Sequence, residues 1–412
     1  MGAEVLDAFR DLVGEHACAA TESDAVDGVA GRWVVRPGST DETAAVMRLA
    51  HERGLTVLVR GAGTKLRWGN PPERVDLVLD TTRMDQLLEH APGDLIVRVG
   101  AGRRLEAVAD DLAGDGQRLG VDPARRGTVG GAVATGATGP MRLFHGAVRD
   151  LLIGVTLVRP DGVVARSGGK VVKNVAGYDL GKLMTGSFGT LGVLTEVNFR
   201  LHPVPEATAW VQAPAAAGAA LHDQVQRVVH SQTAPAAAEL DLPADGAATL
   251  ALQVEGTRAG VDARAATLLT ELGEGAQVLD AAPVGWGEEP QGEVLLKVTF
   301  ALARARLVVD AVDAAAAAAG VLARTRASVL VGTAQVALQG GPDPAVVETF
   351  VTELRSRATS FDGTVVVLEA PPAVRRLVDT WGPVQALDLM RAVKDRFDPE
   401  RRLAPGRFVG GI

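Results

Sequence analysis

The chain has 412 residues, a formal net charge of −8, a single cysteine, and 47% hydrophobic against 22% charged residues. That profile belongs to a globular chain long enough for two or three domains, and dispersed acidity without a basic stripe argues against a nucleic-acid partner. With only Cys18 present, an internal disulfide and a cysteine-ligated cluster or zinc ribbon within this chain are excluded.

The first stretch, MGAEVLDAFRDLVGEHA, reads as an acidic amphipathic helix rather than a signal peptide, since it lacks a basic start and an apolar centre. No apolar run reaches the roughly 18 residues of a membrane span. The expectation is a cytoplasmic chain that reaches a membrane only through a partner. Over residues 34–54 a strand gives way to a helix, with Thr40 or Asp41 as cap and Ala44, Ala45, Val46, Leu49 and Ala50 on its apolar face. A strand over 55–60 then runs into GAGTKL. Small residues at a strand end leave successive N–H groups free to converge on an anion, and Arg60 and Lys65 can add charge.

Strands are expected over 76–79 and 94–99, the second entering GAGRRLEAVADDLAGDG, whose second half is helical. Gly100 and Gly102 imitate the start of a dinucleotide fingerprint. Leu105 stands where the third glycine belongs, and no acidic residue ends a second strand about 20 residues on. The Gly61–Gly63 loop fails the same test at Leu66, so a nicotinamide-binding fold is not expected. Next, PARRGTVGGAVATGATGP (123–140) reads as an extended surface almost free of side-chain bulk, with Thr128, Thr135 and Thr138 as hydroxyls. It suits a planar or pyrophosphate-bearing cofactor, or a glycine-rich loop packed on a helix. Residues 150–159 and 162–166 read as a hairpin.

The stretch SGGKVVKNVAGYDLGKLMTGSFGTLGVLTE (167–196) holds the only tyrosine, Tyr178, and Lys170, Lys173 and Lys182. Gly186, Gly189 and Gly192 recur every third residue before a strand over 193–199, a turn in which glycine permits positive φ and close backbone approach. Beyond Pro203–Pro205 the chain is alanine-rich. Strands over 250–254, 294–300, 328–338 and 365–368 alternate with helices over 261–272, 302–319 and 344–357, which suggests βαβ-like repeats of ferredoxin-like type.

RGAGTK (60–65), TVGGAVATGATG (128–139), VTLVRPDG (155–162) and GSFGTLGVLTE (186–196) occur in the order that resembles the vanillyl-alcohol-oxidase (PCMH) type of FAD-binding domain. KNVAGYDL (173–180) is similar to the glycolate-oxidase and D-lactate-dehydrogenase branch, and within it to the smaller FAD-binding subunit of bacterial glycolate oxidase. The resemblance implies an α+β fold: an N-terminal helix (1–31), a two-part FAD-binding domain (32–205), a ferredoxin-like α+β cap (206–385) and a return segment (386–412). It implies FAD as cofactor, with Arg60, Gly61, Ala62, Gly63, Thr64 and Lys65 around the pyrophosphate. Thr128, Val129, Gly130, Gly131, Ala134, Thr135 and Thr138 would meet the pyrophosphate, ribityl chain and flavin edge, and Gly189, Gly192, Val193 and Leu194 the adenosine half. Some relatives carry a flavin-linking histidine where Thr64 stands here, so non-covalent FAD is implied. Phe188 and Ala404 depart from the glutamate and asparagine usual at their places.

The resemblance also implies oxidation of a small 2-hydroxy acid, glycolate or D-lactate, with a sister FAD subunit and an iron–sulfur partner receiving electrons. All seven histidines lie at or before His230, so the histidine-rich metal motif of some relatives has no counterpart in most of the cap, and no metal is expected. Arg304, Arg306, Arg324 and Arg326 can bind a carboxylate or serve as paired surface arginines. His145 and His202, placed in the FAD domain, read as structural. Tyr178 reads as either a cofactor contact or a packing residue. A non-catalytic FAD-holding subunit, and an oxidase of another alcohol, remain as alternatives.

Overall fold

The computed structural model describes residues 2–169 and 178–412. Lys170, Lys173 and most of KNVAGYDL lie outside the described residues. The chain forms two compact units: residues 1–138, 146–204 and 384–412 make the first, and residues 139–145 and 205–383 the second.

Unit 1 carries two sheets. In the first, β1 (Ala17–Ala19) pairs antiparallel with β2 (Trp33–Val35), and β4 (Leu77–Asp80) lies parallel between β2 and β3 (Val57–Arg60). Its apolar residues, Trp33, Val35, Val57, Leu77 and Leu79, close a core with Met47 and Ala50 of the Thr40–Glu52 helix. That helix is capped by Ser39, not Thr40 or Asp41. The Ser39 hydroxyl accepts the Glu42 N–H at 3.1 Å, while the Glu42 carboxylate reaches back to the Gly38 N–H at 2.7 Å. Thr40 instead donates to the Thr195 hydroxyl at 2.9 Å.

The second sheet runs β5 (Leu87–Ala91), β6 (Ile96–Gly100), β10 (Val193–Arg200), β8 (Leu152–Val158), β9 (Val164–Gly168), antiparallel throughout. The two short strands β7 (Gln117–Arg118) and β11 (His202–Pro203) pair beside it. Gly100 and Gly102 explain themselves here. A Cβ on them would sit 2.2 Å from the Met84 carbonyl oxygen and 1.9 Å from that of Thr81. They are glycine so that two backbones can touch, a need unrelated to a nucleotide.

Unit 2 is one eight-stranded antiparallel sheet with β12 (Ala207–Pro214), β13 (Ala237–Leu242), β14 (Thr249–Gly256), β15 (Gln277–Leu279), β16 (Val294–Thr299), β17 (Ala323–Ser328), β18 (Thr333–Leu338) and β19 (Thr364–Glu369), ordered β15-β12-β14-β13-β17-β18-β16-β19. Each half is a βαββαβ repeat. The first uses helices Ala219–His230 and Arg258–Leu272, the second Ala305–Ala319 and Pro344–Ser356, and β13 joins β17 at the centre. Residues 328–338, expected as one strand, form the end of β17, a turn and β18. Gly332 at φ +80° makes that turn, where any Cβ would meet the Phe300 carbonyl oxygen at 2.3 Å. Along each strand every second side chain enters the helix-covered core, as Ala207, Ala209, Val211 and Ala213 do in β12. The other face is polar, carrying Trp210, Gln212, Gln253, Glu255, Glu239, Asp241, Arg324, Arg326, Gln335 and Lys297 between those core positions.

Gly139–His145 belongs to unit 2, which divides the single continuous 32–205 segment expected from the sequence. Leu143 packs on the unit 2 core, and buried His145 stands 3.5 Å from the Glu255 carboxylate. His145 thus packs within unit 2. Among the described residues no helix is long and apolar enough to cross a membrane.

Candidate functional site

Within unit 1, the ends of β3, β4 and β6 and the two glycine-rich stretches converge on one cleft of about 840 Å³, counting its space open to solvent. Of the positions expected to hold a cofactor, Gly61, Ala62, Gly63, Thr64, Lys65, Thr128, Gly130, Gly131, Ala134, Thr135, Gly189, Gly192 and Leu194 line it. Arg60, Val129, Thr138 and Val193 do not. The Val129 and Val193 side chains are fully buried in the apolar cores behind the wall.

The wall is backbone because its residues are pressed together. Gly61 passes so close to Thr128 that a Cβ would lie 2.2 Å from the Thr128 hydroxyl oxygen, and one on Gly130 would lie 2.8 Å from Ala101. Residues 129–135, expected as part of an extended surface, form a short helix (Val129–Thr135) instead. Thr128 caps it by accepting the Gly131 N–H at 3.2 Å, and Gly136 ends it at φ +58°. Small residues permit this helix to lie against the loop without filling the cleft. In the facing loop, the N–H groups of Ala62, Gly63 and Thr64 donate to no acceptor among the described residues. Such uncommitted donors beside a surface cleared of side chains suit an anionic ligand with an extended, flat body.

The charged side chains near the loop are spent on structure. Arg60 turns away from the cleft, bonding Asp24 at 2.8 Å and Asp80 at 2.9 Å. Burial alone would raise the Asp24 carboxyl; hydrogen bonds from the Thr21 N–H and from Arg60 outweigh it and hold the group below the usual carboxylate range. Lys65, mostly buried, donates to the Arg125 carbonyl. Arg60 therefore does not line the cleft and ties the N-terminal segment to the strand that presents the loop, while Lys65 lines the cleft.

The far wall is the 186–192 turn. Phe188, at φ +55°, donates its N–H to the Ala134 carbonyl at 2.8 Å and sets its ring 5.8 Å from that of Phe408. Behind the turn, fully buried Lys394 donates to Thr190 O at 2.7 Å, to Leu403 O at 3.0 Å and to the Asp398 carboxylate at 2.6 Å. Asp398 accepts the Arg402 and Leu403 N–H groups in return, at 2.9 and 2.8 Å. Burial pushes the Lys394 ammonium down, and Asp398 opposes it. The chain then pairs Val57 with Leu403, and Arg407 lines the cleft while donating to the Leu66 and Trp68 carbonyls at 2.8 Å each. Sequence reasoning missed Arg407, Thr81 and Ala101 as wall residues, whereas Ser187 and Phe188 lie in the GSFGTLG stretch it singled out.

The remaining candidate side chains do not line this cleft. Tyr178 is 92% exposed, and among the described residues its carbonyl accepts from the Ser167 hydroxyl at 2.8 Å and the Leu180 N–H at 2.9 Å. His202 lies in β11 with its ring 3.3 Å from Arg200. Arg304, Arg306, Arg324 and Arg326 are all paired, with Asp362, Asp310 and, for the last two, Asp241.

Comparison with known proteins agrees with this geometry. A family model described as "FAD binding domain" matches residues 32–168. D-lactate dehydrogenase of Archaeoglobus fulgidus is 36% identical over 171 residues, 41% of this chain and 38% of that protein. Glycolate oxidase subunit GlcD of Bacillus subtilis is 35% identical over 42% of this chain and 37% of its own length. Glycolate oxidase subunit GlcE of Escherichia coli is 37% identical over 37% of this chain and 44% of its own length. The chain thus spans less than half the length of these curated relatives. In fold, it is similar to p-cresol methylhydroxylase with substrate bound, at a TM-score of 0.72 and 17% identity, covering 98% of this chain and 96% of that one.

Proposed function

We propose, from the premise that residues 32–168 are an FAD binding domain, that the chain is an FAD-dependent oxidoreductase subunit of the 2-hydroxy acid class. A complex with a sister FAD subunit and an iron–sulfur subunit is part of this reading. The observation that carries it is the cleft in unit 1, whose wall is mostly glycine, alanine and threonine and whose Ala62–Thr64 donors have no acceptor among the described residues.

In this reading the Ala62, Gly63 and Thr64 N–H groups hold the pyrophosphate, and the small residues from Thr128 to Thr135 give the flat body room. Gly189, Gly192 and Leu194 line the adenosine half. When bound, FAD supplies the hydride acceptor. No cleft-lining residue is a histidine, cysteine or tyrosine, and Thr64 stands in the loop, so the cofactor is held without a covalent link. The Phe188 ring lines the cleft, 5.8 Å from that of Phe408.

A second reading, an FAD-holding subunit whose chemistry belongs to a sister chain, is favoured by one observation. The titratable side chains lining the cleft are Lys65 and Arg407, and both are occupied with backbone carbonyls. Neither is placed to take a hydroxyl proton. Anaerobic titration of the flavin-loaded chain with glycolate and with D-lactate separates the two. Bleaching by either acid supports an enzyme in its own right; an unmoved spectrum that bleaches once a sister subunit is added supports the second reading. Spectra unmoved by both acids with the partner present would remove the 2-hydroxy acid assignment.

A further inference from the structure

The cleft of unit 1 is walled mostly by small residues, and one position breaks that pattern. Among the described residues that line it, Phe188 is the one aromatic side chain. Its backbone stands at φ +55°. That left-handed conformation is an outlier for a bulky residue, whereas glycine adopts it freely. In the same turn, Gly186 and Gly189 stand at φ +78° and +72°. The chain thus has glycine at two left-handed positions of this turn and phenylalanine at the third.

The backbone does not require that ring. Phe188 donates its N–H to the Ala134 carbonyl at 2.8 Å, and Gly186 donates to the Val133 carbonyl at 3.0 Å. A glycine at 188 would make the same bond without the steric cost. What phenylalanine adds is a ring, and the two backbone bonds tie its turn to the short helix Val129–Thr135. Phe408, next in the chain to the cleft-lining Arg407, sets its own ring 5.8 Å away with the planes 36° apart. Its position is fixed in turn by an N–H donated to the Ile412 carbonyl at 2.9 Å. Both phenylalanines are half-buried, so part of each ring stays open. A strained residue kept where glycine would serve points to a role for its side chain. A held aromatic ring on the wall of a cleft gives a flat heteroaromatic ring a face to stack on, at little cost in side-chain freedom.

We infer that Phe188, supported by Phe408, is the stacking wall for the adenine ring of FAD and sets the preference of this cleft for adenine-bearing ligands. The choice of adenine rests on the FAD reading above, in which Gly189, Gly192 and Leu194 of the same stretch line the adenosine half; the strained ring does not depend on it. FAD and ADP are therefore measured separately, on the full-length chain with any flavin removed. FAD affinity is read by flavin fluorescence. ADP is followed by proton NMR, because an aromatic ring over the base moves the adenine H2 and H8 signals upfield. Phe188→Leu keeps an apolar side chain on the same backbone and removes the ring; Phe188→Tyr keeps the ring.

Phe188→Leu should weaken FAD and ADP by the same factor, at least about fivefold, equivalent to about 1 kcal/mol. Bound ADP should show upfield adenine signals in the parent chain and in Phe188→Tyr, and lose that shift in Phe188→Leu. Phe188→Tyr should bind FAD as the parent does. FAD bound equally by the parent and Phe188→Leu would overturn the assignment. So would adenine signals that do not move, or that move as far in Phe188→Leu, since the ring would then be packing alone. A loss for FAD with none for ADP would put the ring on the flavin half and overturn the adenine assignment. A chain that holds FAD without regard to residue 188 refutes this inference and leaves the FAD reading standing. A chain that stacks ADP through Phe188 but holds no flavin does the reverse.

Discussion

The unit 1 cleft and the unit 2 polar face are built by opposite means. In the cleft, Gly61, Gly130 and the Ala62–Thr64 loop leave space and donors by having almost no side chain, and the charged residues nearby are tied into structure. On the polar face, Arg326, Asp241 and Glu255 project from a regular sheet, where Arg326 pairs with Asp241 at 3.2 Å and His145 stands 3.5 Å from Glu255. The first kind of site tolerates little change in its glycines. The second tolerates change in its backbone-directed positions but responds to the removal of one charge.

The largest expected effect is on the support of the cleft. Lys394→Met leaves the fully buried Asp398 without its counter-charge and releases Thr190. It should cost about 3–5 kcal/mol in a denaturant melt and weaken flavin retention. A stable Lys394→Met chain would show that the return segment does not hold the turn. Next, Gly61→Ala places a Cβ 2.2 Å from the Thr128 oxygen, so the loop must move. FAD affinity, read by flavin fluorescence, should fall at least about tenfold with a smaller change in stability; an unchanged Kd would mean that the loop does not touch the cofactor.

Smaller effects sharpen the same contrast. Asp24→Asn removes one partner of Arg60 and should cost about 1–3 kcal/mol, because Asp80 remains to hold the guanidinium. The Asp24 carboxyl is held below its unfolded value, so its contribution is present above about pH 4 and lost as pH falls through the folded value. The parent should therefore lose melting temperature faster than Asp24→Asn on acidification below about pH 4; parallel curves would mean that the triad adds nothing. Smallest of all, Arg304→Ala should change stability by less than about 0.5 kcal/mol, since its partner Asp362 is 3.9 Å away and both are exposed.

The cleft was legible in the sequence because a missing side chain leaves a mark: Gly61, Gly130, Gly131, Gly189 and Gly192 appear as spacing before any fold is known. Its boundaries were less so. Residues 129–135 look extended because glycine and alanine carry little pattern, yet Thr128 caps them as a helix. β12, β13 and the helix Ala219–His230 were missed for the same reason, since alanine fills core positions in both strands and helices. His145 meeting Glu255 depends on the Gly139–His145 excursion, which no local pattern announces.

The measurement closest to the central claim is a visible absorbance spectrum of the full-length chain, purified and then incubated with FAD and desalted. The account predicts a flavin band that stays with the protein at one per chain and is released by denaturation, as a non-covalent cofactor must be. A chain that passes the column colourless after incubation would contradict it.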